Sequence, residues 1–438
     1  MNGATGVQIG TALTGDLASD QTGLGGVTAL GNGSYVVSSP FDNEGAISMA
    51  GTVRLMNGTT GAQIGPALTG DGVSDSLGSG GVVDLGNGNF VVISSLDTEA
   101  AVFFAGSVRL VSGTTGLQIG ATIAGNDFLD TLGSAGIIAA PNGNYLILSN
   151  LDDDGGVTDA GTVRLVDGST GAQIGSTIAG DVASDQLGFG IAVALVNNNF
   201  VVGSLLDDES GIVNAGSVRL IDGTTGAQIG PTYAGATAGE QVGLVSAIDN
   251  GNYVIASPFA DVGPVADAGR VQLMDGTDGT SIGTAFEGDI ANDQLGFGSV
   301  VGLSNNNYVI ASINDDAGVV DAGTMILASG VTGAQVGSTV AGDFAGDQLG
   351  FGTLTLLPNG NFVLGSFVDN EGGIADAGSA RLFDGTTTAQ IGPALTGDIA
   401  SDHLGNTDIV ALANSNYVVI SSLDDEGAIV DAGSVRLV

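Results

Sequence analysis

The side chains best equipped for chemistry in this sequence are carboxylates, and they come in tight groups. Asp152, Asp153 and Asp154 with Asp159; Asp207, Asp208 and Glu209; Asp315 and Asp316 with Asp321; and Asp424, Asp425 and Glu426 with Asp431 all lie in stretches rich in glycine and alanine. Closely spaced carboxylates on a flexible loop with free backbone carbonyls are what a hard cation such as Ca²⁺ needs, roughly six to eight oxygens at loosely fixed geometry. A second acidic pattern, exemplified by Asp181 and Asp185, adds ligands if the fold brings it to the same side. The competing reading is solvated carboxylates at strand ends, since no loop has EF-hand or RTX spacing.

Other chemistry is poorly provided for. The one histidine, His403, stands where Gln186, Gln294 and Gln348 stand in the recurring Asp-Gln-Leu-Gly motif. A histidine at a repeat position reads as drift, and no serine is singled out to complete a Ser-His-Asp set. There is no cysteine, hence no thiol nucleophile, disulfide framework or zinc site. Gly188-Phe189-Gly190 has neither a lysine nor a following helix, so it is not a phosphate loop. Carboxylate pairs suit glycoside hydrolysis, but no copy of the repeat departs from the others as a single active site requires. The expectation is a protein without catalytic residues, with a carbohydrate-active enzyme using carboxylates near a central channel as the alternative.

Charge narrows the partners. With 47 acidic residues against seven basic ones the formal charge is −40. That field repels nucleic acid and anionic membranes and favours solubility and counter-cations. No stretch is long and apolar enough to span a bilayer, and Met1-Asn2-Gly3-Ala4 does not open a signal peptide. A protein or glycan partner is therefore expected, with the chain a monomer or a ring-stacked oligomer.

The elements that position these acids are copies of one unit. A Gln-Ile-Gly signature recurs at Gln8, Gln63, Gln118, Gln173, Gln228, Ser281, Gln335 and Gln390, a spacing of 53 to 55 residues. A fixed period of this size means one supersecondary unit copied along the chain. In the Gln173 copy, four alternating segments run about 190–195, 200–204, 216–221 and 227–232, none with helical period. Asn197-Asn198-Asn199, matched by Asn32-Gly33, Asn87-Gly88 and Asn359-Gly360, supplies the positive φ of a tight hairpin. The unit is thus a four-stranded antiparallel meander, which must stack on its neighbours to bury both faces. An aromatic follows the first turn in every copy: Tyr35, Phe90, Tyr145, Phe200, Tyr253, Tyr308, Phe362 and Tyr417. Such regularity predicts packing between units. Arg54, Arg109, Arg164, Arg219, Arg381 and Arg436 share one place in the third segment, with Arg270 close to it, and predict structural ion pairs to the loop acids.

The ends complement each other. Ser434–Val438 joined to Asn2–Gly10 regenerates the pattern of Ser107–Gly116, which predicts that the N-terminal strand completes the last sheet. The expected fold is all-β: an eight-bladed β-propeller of four-stranded antiparallel blades, one domain over 1–438, its last blade shared between 1–14 and 405–438. Most of the acids then fall on one face, in the loops after the second strands and in the crossovers between blades.

The run Gly180-Asp181-Val182-Ala183-Ser184-Asp185-Gln186-Leu187-Gly188-Phe189-Gly190, followed by a strand and then Asp207-Asp208-Glu209 through Ala215-Gly216-Ser217-Val218-Arg219-Leu220, resembles the FG-GAP repeat of integrin-α-like propellers and of large bacterial surface and adhesin-like proteins. The likeness extends to all eight copies, although Phe-Gly itself stands only at Phe189, Phe297 and Phe351. The resemblance implies a non-catalytic interaction or spacer module, extracellular or at the cell surface. Its usual calcium loop between the first two strands is here a neutral Asn/Gly turn, which places any cation on the acidic loops instead. A purely structural unit that stacks ring on ring is the remaining alternative.

Overall fold

The computed structural model describes residues 3–99, 101–425 and 429–438. Each repeat becomes one antiparallel sheet whose strands pair in chain order. In the second sheet these are Gly81–Asp84, Asn89–Ser94, Ser107–Ser112 and Gln118–Ala124. Among the described residues seven sheets have four strands and the eighth has three. Among the described residues there is no α-helix, only two short 3₁₀ turns at Glu209–Gly211 and Glu371–Gly373. The fold is all-β and propeller-like, one blade per repeat.

Turn chemistry sets the register. The Asn87 side chain accepts the Asn89 N–H at 2.9 Å, and Gly88 takes φ 91°, which closes the hairpin as the Asn-Gly pair predicts. The same Asn87 amide donates to the Gly168 carbonyl of the next sheet at 3.0 Å. Asn32 does likewise to Gly113 at 2.9 Å, Asn250 to Gly330 at 2.8 Å and Asn305 to Gly385 at 2.7 Å. The glycine of the Gln-Ile-Gly signature has its own cause: a Cβ on Gly120 would stand 2.5 Å from the Thr170 carbonyl, and one on Gly283 would stand 2.6 Å from that of Thr332. At these glycines the fourth strand lies too close to the next sheet's turn for any other residue, whereas a Cβ on Gly392, ahead of the short strand Leu395–Thr396, would meet nothing within 4 Å.

Contacts group the chain into two units, Met1–Asp208 with Arg219–Ile229, and Glu209–Val218 with Gly230–Val438. In each, the core lies between neighbouring sheets. In the first unit Tyr145 and Ile147 face Ile93 and Val108 of the preceding sheet. Leu146 and Leu148, one residue out of phase, face Phe200 and Val202 of the following one. The second unit repeats this, with Val254 and Leu273 against Tyr308 and Ile310, and Val309 and Leu327 against Phe362 and Leu364. Strand periodicity of two therefore serves two layers at once. The recurring aromatics are buried as expected, apart from half-buried Tyr35.

The expected pairing of Val7–Leu13 along Val435–Val438 is not what the last sheet displays. Its strands are Asp408–Ala411, Tyr417–Ser421 and Ser434–Leu437, and the third is bonded to the second alone. Residues 7–13 form no strand, although a Cβ on Gly10 would stand 2.7 Å from the Thr60 carbonyl, much as at Gly120 and Gly283. Every other fourth strand is tethered to its partner by a short turn that keeps closure entropy small; this pair has no such turn.

In most repeats the last residue of the second strand ties the sheet to its own entry loop. Ser149 Oγ accepts the buried Gly133 N–H at 2.9 Å, and Ser94, Ser204, Ser312, Ser366 and Ser421 do the same for Gly78, Gly188, Gly296, Gly350 and Gly405. Replacing Ser149 with Ala orphans a buried donor and is expected to cost roughly 1–3 kcal/mol. Chemical denaturation checks this, and an unchanged midpoint contradicts it.

Candidate metal centre

The crossover that leads from one sheet into the next reads Gly-Asp-Xaa-Xaa-Xaa-Asp in most repeats, as in Gly15–Asp20 and Gly180–Asp185. Its final carboxylate works on both sides. One oxygen closes the crossover's own turn: Asp20 Oδ2 accepts the Leu17 N–H at 2.6 Å, Asp185 Oδ2 accepts Val182 at 2.7 Å and Asp402 Oδ2 accepts Ile399 at 2.8 Å. The other catches the loop after the second strand. Asp20 Oδ1 accepts the Asn43 N–H at 3.2 Å, and Asp130, Asp185 and Asp402 accept those of Asp153, Asp208 and Asp425 at 3.2 Å.

The loop's first acid is buried beside it. Asp42, Asp97, Asp152, Asp207, Asp369 and Asp424 are almost wholly inaccessible. The hydroxyl that opens the third strand donates to Oδ2 of this acid, as Thr52, Ser107, Thr162 and Ser379 do. Two residues on, the recurring arginine completes the pair: Arg54–Asp42 at 3.0 Å, Arg109–Asp97 at 3.0 Å, Arg164–Asp152 at 2.6 Å, Arg219–Asp207 at 3.1 Å, Arg381–Asp369 at 2.7 Å and Arg436–Asp424 at 2.8 Å. These are the ion pairs the sequence predicts. Arg270 differs, bonding Glu287 at 2.8 Å on the neighbouring strand, because Gln272 occupies the arginine's usual register position and Ala260 that of the loop acid.

Among the described residues, five repeats bring three carboxylates together: Asp16, Asp20 and Asp42; Asp71, Asp75 and Asp97; Asp181, Asp185 and Asp207; Asp343, Asp347 and Asp369; and Asp398, Asp402 and Asp424. One oxygen from each lies within 4.8 Å of the other two. The first member is exposed and the other two are buried. Oδ1 of Asp42, Asp75, Asp97, Asp369 and Asp424 is buried without a hydrogen-bond partner. A desolvated anionic oxygen left unpaired is costly, and a cation there satisfies it. Three carboxylates and one arginine leave two net negative charges at each centre, which suits a divalent ion. These five clusters can hold a metal ion. In the third repeat Asn126 replaces the exposed member, and in the fifth Ala236 and Ala260 remove two of the three.

Of the four groups singled out in the sequence, Asp207 and Asp424 enter these trios. Asp152 has the same burial and arginine in its own repeat, and half-buried Asp315 accepts from Thr324. The second loop acid shapes the loop: Asp153, Asp316 and Asp425 accept the N–H of Asp159, Asp321 and Asp431 at 2.7, 2.9 and 2.7 Å. Asp208 donates its N–H to Asp185. Asp154 is exposed beside the bridge to Val157, and Glu209 begins the 3₁₀ turn. Glu426 lies outside the described residues. The crossover acids Asp16, Asp20, Asp71, Asp75, Asp343, Asp347, Asp398 and Asp402 carry as much of each centre as the loop acids do, and the recurring Gly-Asp-Xaa₃-Asp was their signal.

A family model for a repeat of unknown function, DUF5650, matches residues 29–65, 84–128, 139–184, 194–231, 247–284, 302–341, 356–406 and 411–438. The chain belongs to this family. The matches follow the eight sheets in order, so each DUF5650 repeat is one blade. No curated protein matches the chain. Solved structures similar to it include the computationally designed Ika8 protein, at 14% identity and TM-score 0.42, covering 95% of this chain and 96% of that one. A streptogramin B lyase aligns at 9% identity and TM-score 0.36, covering 87% and 96%. The virginiamycin B lyase of Staphylococcus aureus aligns at 7% and 0.38, covering 80% and 92%.

Burial pushes the Asp97 carboxyl up to about 6, against the opposing pull of Ser107 and Arg109, and it likewise raises Asp152, Asp293 and Asp369. Asp20 moves the other way, held low chiefly by the Leu17 N–H. Hydroxyl donors similarly lower Asp167 and Asp222, through Ser169 and Thr224. Asp97 contributes stability that is present below the ordinary carboxylate value near 4 and is lost as pH rises through about 6, and Asp152, Asp293 and Asp369 act in the same direction. The lowered groups contribute stability above that value, which is lost only as pH falls below it. Thermal melts in chelator are therefore expected to peak around pH 4–5 and decline toward neutrality. A steady rise across that interval contradicts the assignment.

Proposed function

We propose that the protein is a non-catalytic interaction and spacer module, extracellular or at the cell surface, whose sheet-to-sheet crossovers bind Ca²⁺. The observation that carries this reading is the trio of carboxylates with an orphaned, buried Oδ1. It recurs at the same place in repeat after repeat. The exposed Asp, the crossover Asp and the loop Asp would hold the ion, with water supplying the remaining oxygens that Ca²⁺ takes. Bound Ca²⁺ supplies charge neutralisation at the crossover. The residues themselves fix the loop, through the backbone N–H groups bonded to Asp20, Asp185 and Asp402.

Three protein carboxylates opening to solvent make a weak site, of the kind that extracellular modules fill at roughly 10⁻⁴–10⁻³ M Ca²⁺. That affinity, together with the FG-GAP likeness of the motifs, favours a location outside the cell. A carbohydrate-active role has less support. It needs one carboxylate pair unlike the rest, whereas the buried members of the five trios occupy the same positions in each and pair with the same arginine.

Calorimetric titration of Ca²⁺ into chelator-stripped protein at neutral pH is expected to give saturable heat with a stoichiometry near the five trios and a rise in melting temperature. Replacing exposed Asp71, Asp181 or Asp343 by Ala is expected to remove sites singly. The melting of the chelated protein should then stay within about 0.5 kcal/mol of the parent, as for an ordinary surface change. Absence of both heat and melting shift overturns the proposal.

A further inference from the structure

One joint departs from the others. Where the second sheet's loop meets the crossover into the third, Phe103 is 64% exposed, Phe104 38%, Phe128 62% and Leu129 47%. They form one patch: the Phe104 and Phe128 rings lie 6.4 Å apart, and the Leu129 and Thr131 N–H groups donate to the carbonyls of Phe103 and Phe104 at 3.4 and 3.1 Å. At the Phe128 position the other repeats carry Ala or Val, at Leu129 they carry Ser, Asn or Gly, and at Phe104 they carry Asp or Asn, except for Met49.

Two separate costs fall on these side chains. Phe104 has φ 55° and Leu129 φ 70°, in the left-handed region that Asp, Asn, Ser and Gly tolerate far better than bulky residues do. Their equivalents Asp159, Asn214, Ser19 and Ser184 lie at φ 50°, 49°, 72° and 70°, so the position demands this conformation in each copy. The second cost is exposure. Three half-exposed phenylalanines present about 300 Å² of apolar surface to water, a patch of the size that marks interaction sites. The Phe104–Phe128 ring contact leaves most of the Phe103 and Phe128 surface in water.

We propose that this patch is a docking site for a basic polypeptide segment that seats an aromatic or aliphatic anchor on the exposed surface of the Phe104–Phe128 pair. Charge selects the occupant. The two loops, 95–106 and 125–133, carry Asp97, Glu99, Asp127 and Asp130 and no basic residue. The arginine of that sheet, Arg109, is buried and committed to Asp97 and Glu99. A second copy of this chain would bring a charge of −40 against another −40 and is repelled, as is an anionic lipid surface, whereas lysine or arginine flanking an apolar anchor is attracted on approach. The inference extends the interaction role proposed above. Asn126 replaces the exposed acid at this crossover, but the loop 95–106 also carries Asp97 of the second trio; binding measured in chelator therefore separates docking from cation binding.

The test is a selection of short random peptides displayed on phage against the full chain, performed in chelator. Bound peptides are then titrated against the parent and against Phe104→Asp/Phe128→Ala/Leu129→Ser, which installs residues found at those positions in other repeats. The expected result is enrichment of peptides with an aromatic or leucine anchor flanked by Lys or Arg. Their affinity should drop at least about tenfold for the variant, while the variant melts at or above the parent's temperature. Enrichment of neutral or acidic peptides, equal binding to the variant, or a variant that melts lower because the patch is packing overturns the proposal. Phe128→Ala alone repeats the binding comparison with the least disturbance of the fold.

Discussion

Most of the sheets depend on one carboxylate that is hydrogen-bonded on both oxygens, as at Asp20, Asp130, Asp185 and Asp402. Asp185 closes the turn that delivers the chain from the preceding sheet and at the same time holds the first residues of its own sheet's long loop. A charge-assisted bond to a backbone N–H is about twice as strong as a neutral one, so a single side chain fixes two irregular segments that no ladder stabilises. Once both are fixed, Asp207 is buried against Arg219 and brought within reach of Asp181 and Asp185. The candidate metal centre is a consequence of how the sheets are joined.

This arrangement places stability and binding in the same few residues. Asp97 sits in a site where burial disfavours its charge and an arginine supports it, and one of its oxygens is left with no partner. A core built only for stability would not retain such an oxygen, since an apolar replacement of an incompletely satisfied buried ion pair is often neutral or stabilising. Repetition strengthens the inference, because the same unsatisfied oxygen recurs at Asp42, Asp369 and Asp424. The second unusual joint, around Phe104 and Leu129, follows the same logic in apolar form: side chains kept where local energetics argue against them.

Repeats make departures legible. Among titratable residues the fifth repeat already stands apart, with Ala236 and Ala260 in place of acids and Arg270 displaced to Glu287, whereas His403 and the serines mark no copy as a catalytic site. Comparison of apolar residues at loop positions gives another answer. Phe104, Phe128 and Leu129 are unremarkable as letters in a hydrophobic chain, and their meaning appears only when their exposure and left-handed backbone are known.

From the order of residues alone came the number of units, their four-stranded meander, the hairpin turns at Asn-Gly pairs, the buried aromatics and the arginine pairings. These depend on local periodicity and on chemistry repeated at a fixed interval, both of which a linear string records. The tertiary structure decided which acids meet. Asp181 and Asp207 are far apart in the chain and touch the same centre only because the crossover folds back along the loop, whereas Asp208, next to Asp207, is turned to a different task by strand-end geometry. It also decided that Val7–Leu13 forms no strand, although its sequence matches the Gln-Ile-Gly segments that do, because pairing without a connecting turn is governed by where the sheets bring the chain and not by the residues themselves.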